Sequence, residues 1–254
     1  MKNCIYFSIF IFIFAVLPSS SKAMGIFSMN LHCLFDSWET RLGNILDKAI
    51  ELDSEILNFQ EVCVDDDNDM SVFIADYLRK KTKKHWEIEK VFTHKSWGKY
   101  DEYILMATTK PVEKTVMGSL PYSPLRRSFL AMKINGTFYI NIHLEHKADY
   151  HRYRVQQIKF LVGSFKGTKH LFMGDFNSSP KDYEQKKFYA HGYQEYFPGK
   201  SYPSSNPRKA IDGVWLSKNF FKAKKDFPDH AKLVLAKPIK GLQSSDHLGL
   251  FIDL

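Results

Sequence analysis

Apolar and polar positions follow two rhythms along this chain. Gly25 to Cys33 (GIFSMNLHC) and Ser54 to Val62 (SEILNFQEV) are compact runs rich in Ile, Phe, Leu and Val, the pattern of buried strands. Between them, Leu42, Ile45, Leu46, Ala49 and Ile50 recur at helical spacing, which predicts an amphipathic helix over ETRLGNILDKAIEL. A shorter helix is expected over MSVFIADYLRKK. The middle of the chain reads as strands: WEIEKVFT, EYILMAT, RSFLAMKI and TFYINIHL, with a hairpin turn at Asn135–Thr137 between the last two. Residues 150–165 carry Val155, Ile158, Leu161, Val162 and Phe165 on one helical side. Strands return at HLFMGD, AIDGVWLS, AKLVLAKP and LGLFIDL. Many strands with a few amphipathic helices predict two sheets packed face to face with helices outside, an α/β sandwich in layers.

The N-terminus breaks both rhythms. MKNC is followed by the apolar run IYFSIFIFIFAVL and then PSSSKA, ending in small residues at Ser21 and Ala23. This is the pattern of a secretory signal peptide cut after Ala23, since the run is shorter than the roughly 20 residues of a spanning helix. The expected arrangement is therefore a signal peptide over residues 1–23 and one catalytic-sized domain over 24–254, exported to the periplasm or the extracellular space. Cleavage removes Lys2 and Lys22 from a chain of net charge +8, which leaves a basic protein. That balance suits an anionic partner, nucleic acid or an acidic membrane surface, although the Lys residues are scattered. No repeat, low-complexity tract or Gly/Ser linker divides the chain.

Polar groups collect where the strands end. FSMNLH delivers Asn30, LNFQEV delivers Gln60 and Glu61, and YINIHLEH delivers His143. MGDFN delivers Asp175 and Asn177, AIDGVW delivers Asp212, and SSDHLGL delivers Asp246 and His247. Any one of these is explained by turn chemistry; the repetition is not. Glu61 and Asp246 are hard oxygen ligands of the kind Mg²⁺ takes. His143 and His247 can donate to phosphate oxygens or move protons near neutral pH. Asp175 can hold or deprotonate water, while Asn30 and Asn177 offer amide donors to charge growing on a phosphoryl group. Together they describe a metal-assisted phosphoester hydrolase. His143 and His146 do not read as a zinc pair, because a strand and its following loop do not present them on one face.

MNLH, FQEV, NIHLEH, GDFN, IDGVW and SDH come in the order of the endonuclease/exonuclease/phosphatase superfamily, and the resemblance runs from about Gly25 to Leu254. It implies a four-layered α/β sandwich with the site at one edge of two central sheets. Within that superfamily the chain most resembles the deoxyribonuclease I branch, because His143 stands where that branch has a catalytic His. The resemblance implies that Glu102, in YDEYILMA, orients His143 and that Arg127, in RRSFLAMKI, contacts phosphate. It further implies that Asp212 fixes the tautomer of His247, and that Glu61 and Asp246 hold the metal with Asn30 beside them. Mg²⁺ is the expected ion, with Mn²⁺ or Ca²⁺ as alternatives. SDHLGL lacks the Pro that more often follows the His in the family, which leaves substrate choice open.

DNA is the first substrate expected, with a sphingomyelinase or phosphoinositide phosphatase on the same scaffold as the alternative. A binding or toxin-like protein that has lost catalysis is a further reading, against which the full polar set argues. A monomer with no stable protein partner is expected. Of Trp97, Tyr100, Tyr202 and Trp215, Tyr100 is taken as the residue that stacks on substrate. Cys33 lies three residues past Asn30 and Cys63 two past Glu61. If Asn30 and Glu61 converge, the thiols fall on adjacent loops, within the roughly 4.4 to 6.8 Å between Cα atoms that a disulfide spans. Their unequal offsets keep two separate buried thiols as the alternative.

Overall fold

The protein is described from a computed structural model over residues 24–220 and 231–254. The expected signal segment, residues 1–23, lies outside the described residues. The chain runs β1 (Gly25–Asn30), α1 (Trp38–Glu51), β2 (Ser54–Val64), α2 (Met70–Thr82), β3 (Glu87–Ser96), β4 (Tyr100–Thr108), β5 (Lys114–Ser119) and β6 (Ser128–Ile134). It continues β7 (Thr137–His143), α3 (His151–Ser164), β8 (His170–Asp175), α4 (Lys186–Ala190), β9 (Gln194–Tyr196), β10 (Asp212–Leu216), β11 (Ala231–Val234) and β12 (Gly249–Asp253).

These strands form two six-stranded sheets, ordered β11-β12-β1-β2-β4-β3 and β5-β6-β7-β8-β10-β9. Each sheet has one parallel pair at its centre, β1 with β2 and β7 with β8, and antiparallel pairs elsewhere. A parallel pair needs a long crossover, which α1 and α3 supply. Strands at such a centre are covered on both faces and so read as unbroken apolar runs; β1 and β8 are buried at all six positions.

Three apolar clusters define four layers. Leu42, Ile45 and Leu46 of α1 pack with Ile74 and Leu78 of α2 on one face of the first sheet, against Phe27, Met29 and Phe59. Ile26, Ile56, Ile104, Leu130, Met173 and Val214 fill the space between the sheets. Ile158, Leu161 and Val162 of α3 close the far face of the second sheet with Phe172, Phe188 and Trp215. This is the sandwich that the sequence predicts. The turn is also as expected: Asn135 and Gly136 both have positive φ, 48° and 74°, the conformation of a two-residue hairpin loop.

Polar contacts join the sheets just beneath their shared edge. Asn141 donates to the carbonyls of Phe59 and Leu105 (both 2.9 Å), and Gln60 Nε2 donates to Asn141 Oδ1 at 2.7 Å. Gln60 is thus a strut between the sheets, not a group offered to substrate. Gly174 permits the close approach. Its φ is +139°, and a Cβ there would lie 2.2 Å from the carbonyl oxygen of Ile142 and 3.1 Å from Gln60 Nε2.

At the other end of β8, His170 is sealed beneath Tyr193, with Nε2 2.6 Å from the phenol and Nδ1 3.0 Å from the Thr168 carbonyl. Burial lowers its pKa from 6.5 to about 4. Between those values the unfolded chain binds a proton that the folded one refuses. The neutral His170 therefore costs nothing above pH 6.5, and stability is lost as pH falls toward 4, by about 3 kcal/mol in all. Urea unfolding at pH 7.5 and 4.5 is expected to show a smaller acid loss in His170→Gln than in the parent. An equal loss in both would remove His170 from the account.

Candidate active site

The carboxyl ends of all four central parallel strands reach one edge, so the residues they carry meet there. Asn30 ends β1, His143 ends β7 and Asp175 ends β8; Asp212, at the start of antiparallel β10, pairs in register with Asp175. Glu61 needs a local distortion to join them. The register of β2 against β4 shifts between Phe59 and Val62, and Glu61 takes a left-handed φ of 52°. Such a bulge re-aims one side chain without ending the strand. Here it sends a carboxylate into the cleft.

Asp175 is the hub. Its Oδ1 accepts the Asn177 backbone N–H at 2.8 Å, which fixes the carboxylate plane. Around Oδ2 stand Asn30 Nδ2 at 3.4 Å, His143 Nε2 at 3.6 Å and His247 Nε2 at 3.8 Å. Behind His247, buried Asp212 takes Nδ1 at 2.9 Å and sets which nitrogen faces Asp175. Burial works most strongly against charge on His247, yet Asp212, Asp175 and Asp246 together outweigh it and raise its pKa to about 10.

Behind His143 lies a second charged group. Glu102 Oε1 is 3.6 Å from His143 Nδ1, and Arg127 Nη1 reaches Nδ1 at 3.1 Å and Glu102 at 3.4 Å. Burial pushes the Glu102 carboxyl up, but His143, Arg127 and His94 prevail and hold it down at about 2. Ser96 Oγ also donates to Glu102. Asn177 donates its side-chain amide to the Leu144 carbonyl at 3.1 Å and lines the cleft.

Glu61 and Asp246 are the residues suited to a divalent cation. Asn30 donates to Glu61 at 2.9 Å, while burial and then the charge of Glu102 raise the Glu61 carboxyl to about 6. A cation beside this half-buried carboxylate would favour its charged form. Asp246 also lines the cleft, 3.9 Å from His32 Nε2. Asp175, Asp212 and His247 form a tighter group, with ligand atoms within 4.8 Å of one another. Within that group Asp212 is already bonded to His247, and Glu61 and Asp246 are further carboxylates on the cleft that could hold the ion.

Two clamps hold this rim. Cys33 and Cys63 form a disulfide, with Cα atoms 5.0 Å apart, so the alternative of separate thiols is excluded. Arg41 is buried and donates to the carbonyls of Leu31, Cys33, Phe35 and Ser244, joining the loop after β1 to the loop that carries Asp246.

The cleft has a volume of about 860 Å³. Tyr100 does not line it. That ring is half-buried against Phe35 and Trp97, so the expectation that it stacks on substrate is corrected: β4 begins at Tyr100 and turns it toward the aromatic cluster. Residues lining the cleft that the sequence did not single out for the site include His32, His94, Tyr202 and Lys209. The ring of Tyr202 stands 4.8 Å from that of His247. His32 has a local signal inside MNLH, and Tyr202 stands among the candidate stacking rings, of which the sequence favours Tyr100; His94 and Lys209 come from a hairpin and a long loop with no periodic pattern.

Paired imidazoles, a carboxylate behind each, an Arg and carboxylates that could hold a hard cation, all at one edge of a two-sheet sandwich, are the groups that phosphoester hydrolysis needs. The family comparison gives the same class. Residues 28–247 match the Endonuclease/Exonuclease/phosphatase family, and the chain belongs to it. Among solved structures it is similar to an endonuclease/exonuclease/phosphatase family protein from Leptotrichia buccalis, at 16% identity and TM-score 0.75, covering 91% of this chain and 98% of that one. It is also similar to D. rerio TDP2 complexed with single strand DNA product (17%, TM-score 0.68, 91% and 98% covered). A third likeness is to the human Nocturnin catalytic domain with bound sulfate anion (15%, TM-score 0.66, 91% and 93% covered). At these identities the structural likeness carries the fold alone. No curated protein matches the sequence.

Proposed function

We propose that this chain is an exported, divalent-metal-dependent phosphodiesterase that cleaves nucleic acid, DNA first, as a monomer. The observation that carries the reading is the convergence of Asn30, His143 and His247 on one oxygen of Asp175. A phosphodiester seated there meets a carboxylate able to take a proton from water and two imidazoles able to donate to phosphoryl oxygens. His247, held charged by Asp212 and its acidic neighbours, serves as a donor, which leaves Asp175 to orient and deprotonate the water. His143, backed by Glu102 and Arg127, faces it across Oδ2 and stabilises the charge that develops on phosphorus-bound oxygen. Asn177 and Arg127 also line the cleft.

Glu61 and Asp246 would hold the metal, which supplies charge neutralisation and a Lewis acid at the phosphoryl group. A nucleic-acid substrate is supported by the basic balance of the chain and by its likeness in fold to D. rerio TDP2, whose structure holds a single strand DNA product. Export rests on the N-terminal apolar run, and the Cys33–Cys63 bridge suits an oxidising compartment. Titration calorimetry with Mn²⁺ tests the metal assignment independently of turnover. Glu61→Gln keeps the size of the side chain, so it is expected to fold normally, to weaken Mn²⁺ binding by about tenfold or more, and to lose nuclease activity. Unchanged Mn²⁺ affinity would remove Glu61 from the ligand set.

A further inference from the structure

Trp97 is 62% exposed at the tip of the hairpin joining β3 to β4, and it lines the catalytic cleft. One exposed aromatic needs no explanation. A second in the same cleft changes the matter: Tyr183, in the loop after β8 of the other sheet, is 59% exposed and lines it too. Neither ring fills a core, so neither is needed there to hold the fold.

Both are held ready. Trp97 meets Phe35 edge to face, with centroids 4.9 Å apart, and its neighbour Ser96 is tied to Glu102. Tyr183 carries the Lys187 ammonium 5.0 Å from its ring centre. The same cleft is lined by Lys209, by Lys95, which pairs with Asp101, and by buried Arg127, which pairs with Glu102, beside the carboxylates of the site. Aromatic faces interleaved with cations are how proteins grip single strands, because phosphates follow the charge and every unpaired base has a face to stack. In a duplex those faces are covered by neighbouring base pairs. A membrane-binding surface would instead offer a contiguous apolar patch. Here the cleft lining mixes the two exposed aromatics with charged and imidazole groups.

We propose that the cleft selects single-stranded nucleic acid, with Trp97 and Tyr183 as stacking platforms for unpaired bases near the scissile phosphate. This rests on the nuclease reading above. The test compares, with Mg²⁺, a single-stranded oligonucleotide, the duplex of the same sequence, the base-free diester bis(p-nitrophenyl) phosphate and sphingomyelin vesicles. The single strand is expected to be cut with a kcat/KM about tenfold or more above the duplex. Trp97→Ala and Tyr183→Ala should each lower the ratio of single-strand to base-free hydrolysis by about 5- to 150-fold, the range for one base stack. Trp97→Phe should restore most of that ratio. A duplex cut as fast as the single strand, with the ratio unmoved in both Ala variants, overturns the inference and leaves the nuclease reading standing. Hydrolysis of sphingomyelin without cleavage of either nucleic acid overturns both.

Discussion

Asp175→Asn is expected to lower kcat/KM for DNA hydrolysis by about a thousandfold or more, with little change in thermal stability. The amide keeps the shape of the carboxylate, and its oxygen can still accept the Asn177 N–H that fixes the native side chain. What it loses is specific to Oδ2. Asn30 donates to that atom, and His143 and His247 Nε2 stand 3.6 and 3.8 Å from it; an NH₂ group there neither accepts from Asn30, nor pairs with an imidazolium, nor takes a proton from water. Removing a general base alone is worth about 10² to 10⁴ in rate. The imidazoles also lose the anion that keeps them aligned, which places the expected loss high in that range. Steady-state kinetics beside a circular dichroism melt check the point. A variant that keeps a tenth of the parental rate would show that Asp175 is not the base.

Gly174→Ala acts one residue earlier and through the backbone. With φ at +139° and a would-be Cβ 2.2 Å from the Ile142 carbonyl oxygen, Ala fits neither the conformation nor the space. The obstruction is main chain in the neighbouring strand β7, so it cannot rotate away. Destabilisation of about 4 kcal/mol or more is expected, among the largest that single substitutions cause. For a chain of this size that is a fall in Tm of about 10 °C. The surviving folded fraction should also be impaired, because β7 and β8 pair His143 with Asp175 one residue further along. Gly163→Ala in α3 is the control. Nothing lies within 4 Å of its added methyl, so the helix should tolerate it or gain slightly. Equal melting temperatures for the two variants would contradict the close approach at Gly174.

The two effects explain why GDFN reads as more than a turn. Gly174 lets the strand pass its neighbour, and Asp175 follows at the point where four strand ends meet. Much of this was legible because central parallel strands are long apolar runs with polar tips, a pattern that survives without any knowledge of pairing. The bulge at Glu61 was not legible: FQEV looks like an ordinary strand, and only the register shift against β4 shows why its carboxylate turns inward. Edge strands left a weak signal too. β5 (KTVMGS) is short, half-exposed and lacks clean alternation, while β9 has three residues. The disulfide stayed open because Cys63 lies inside β2, past the bulge at Glu61, and not on the expected loop, while its partner Cys33 sits on a loop whose left-handed residues, His32 and Cys33, no periodicity reveals. Tyr100 and Trp97 show the same limit. Both lie in one hairpin and both touch Phe35, and only the three-dimensional packing decides which ring is half-covered and which is left in water.

The central claim is that Asp175, His143 and His247 hydrolyse a nucleic-acid phosphodiester beside a metal held by Glu61 and Asp246. Its most direct test is the rate at which the purified protein cleaves an end-labelled DNA oligonucleotide as Mg²⁺ is titrated in and then removed with a chelator. The account predicts saturable cleavage that is abolished by the chelator and recovered when Mg²⁺ is restored. Cleavage that persists at full rate in chelator, or no cleavage at any Mg²⁺ concentration, would contradict it.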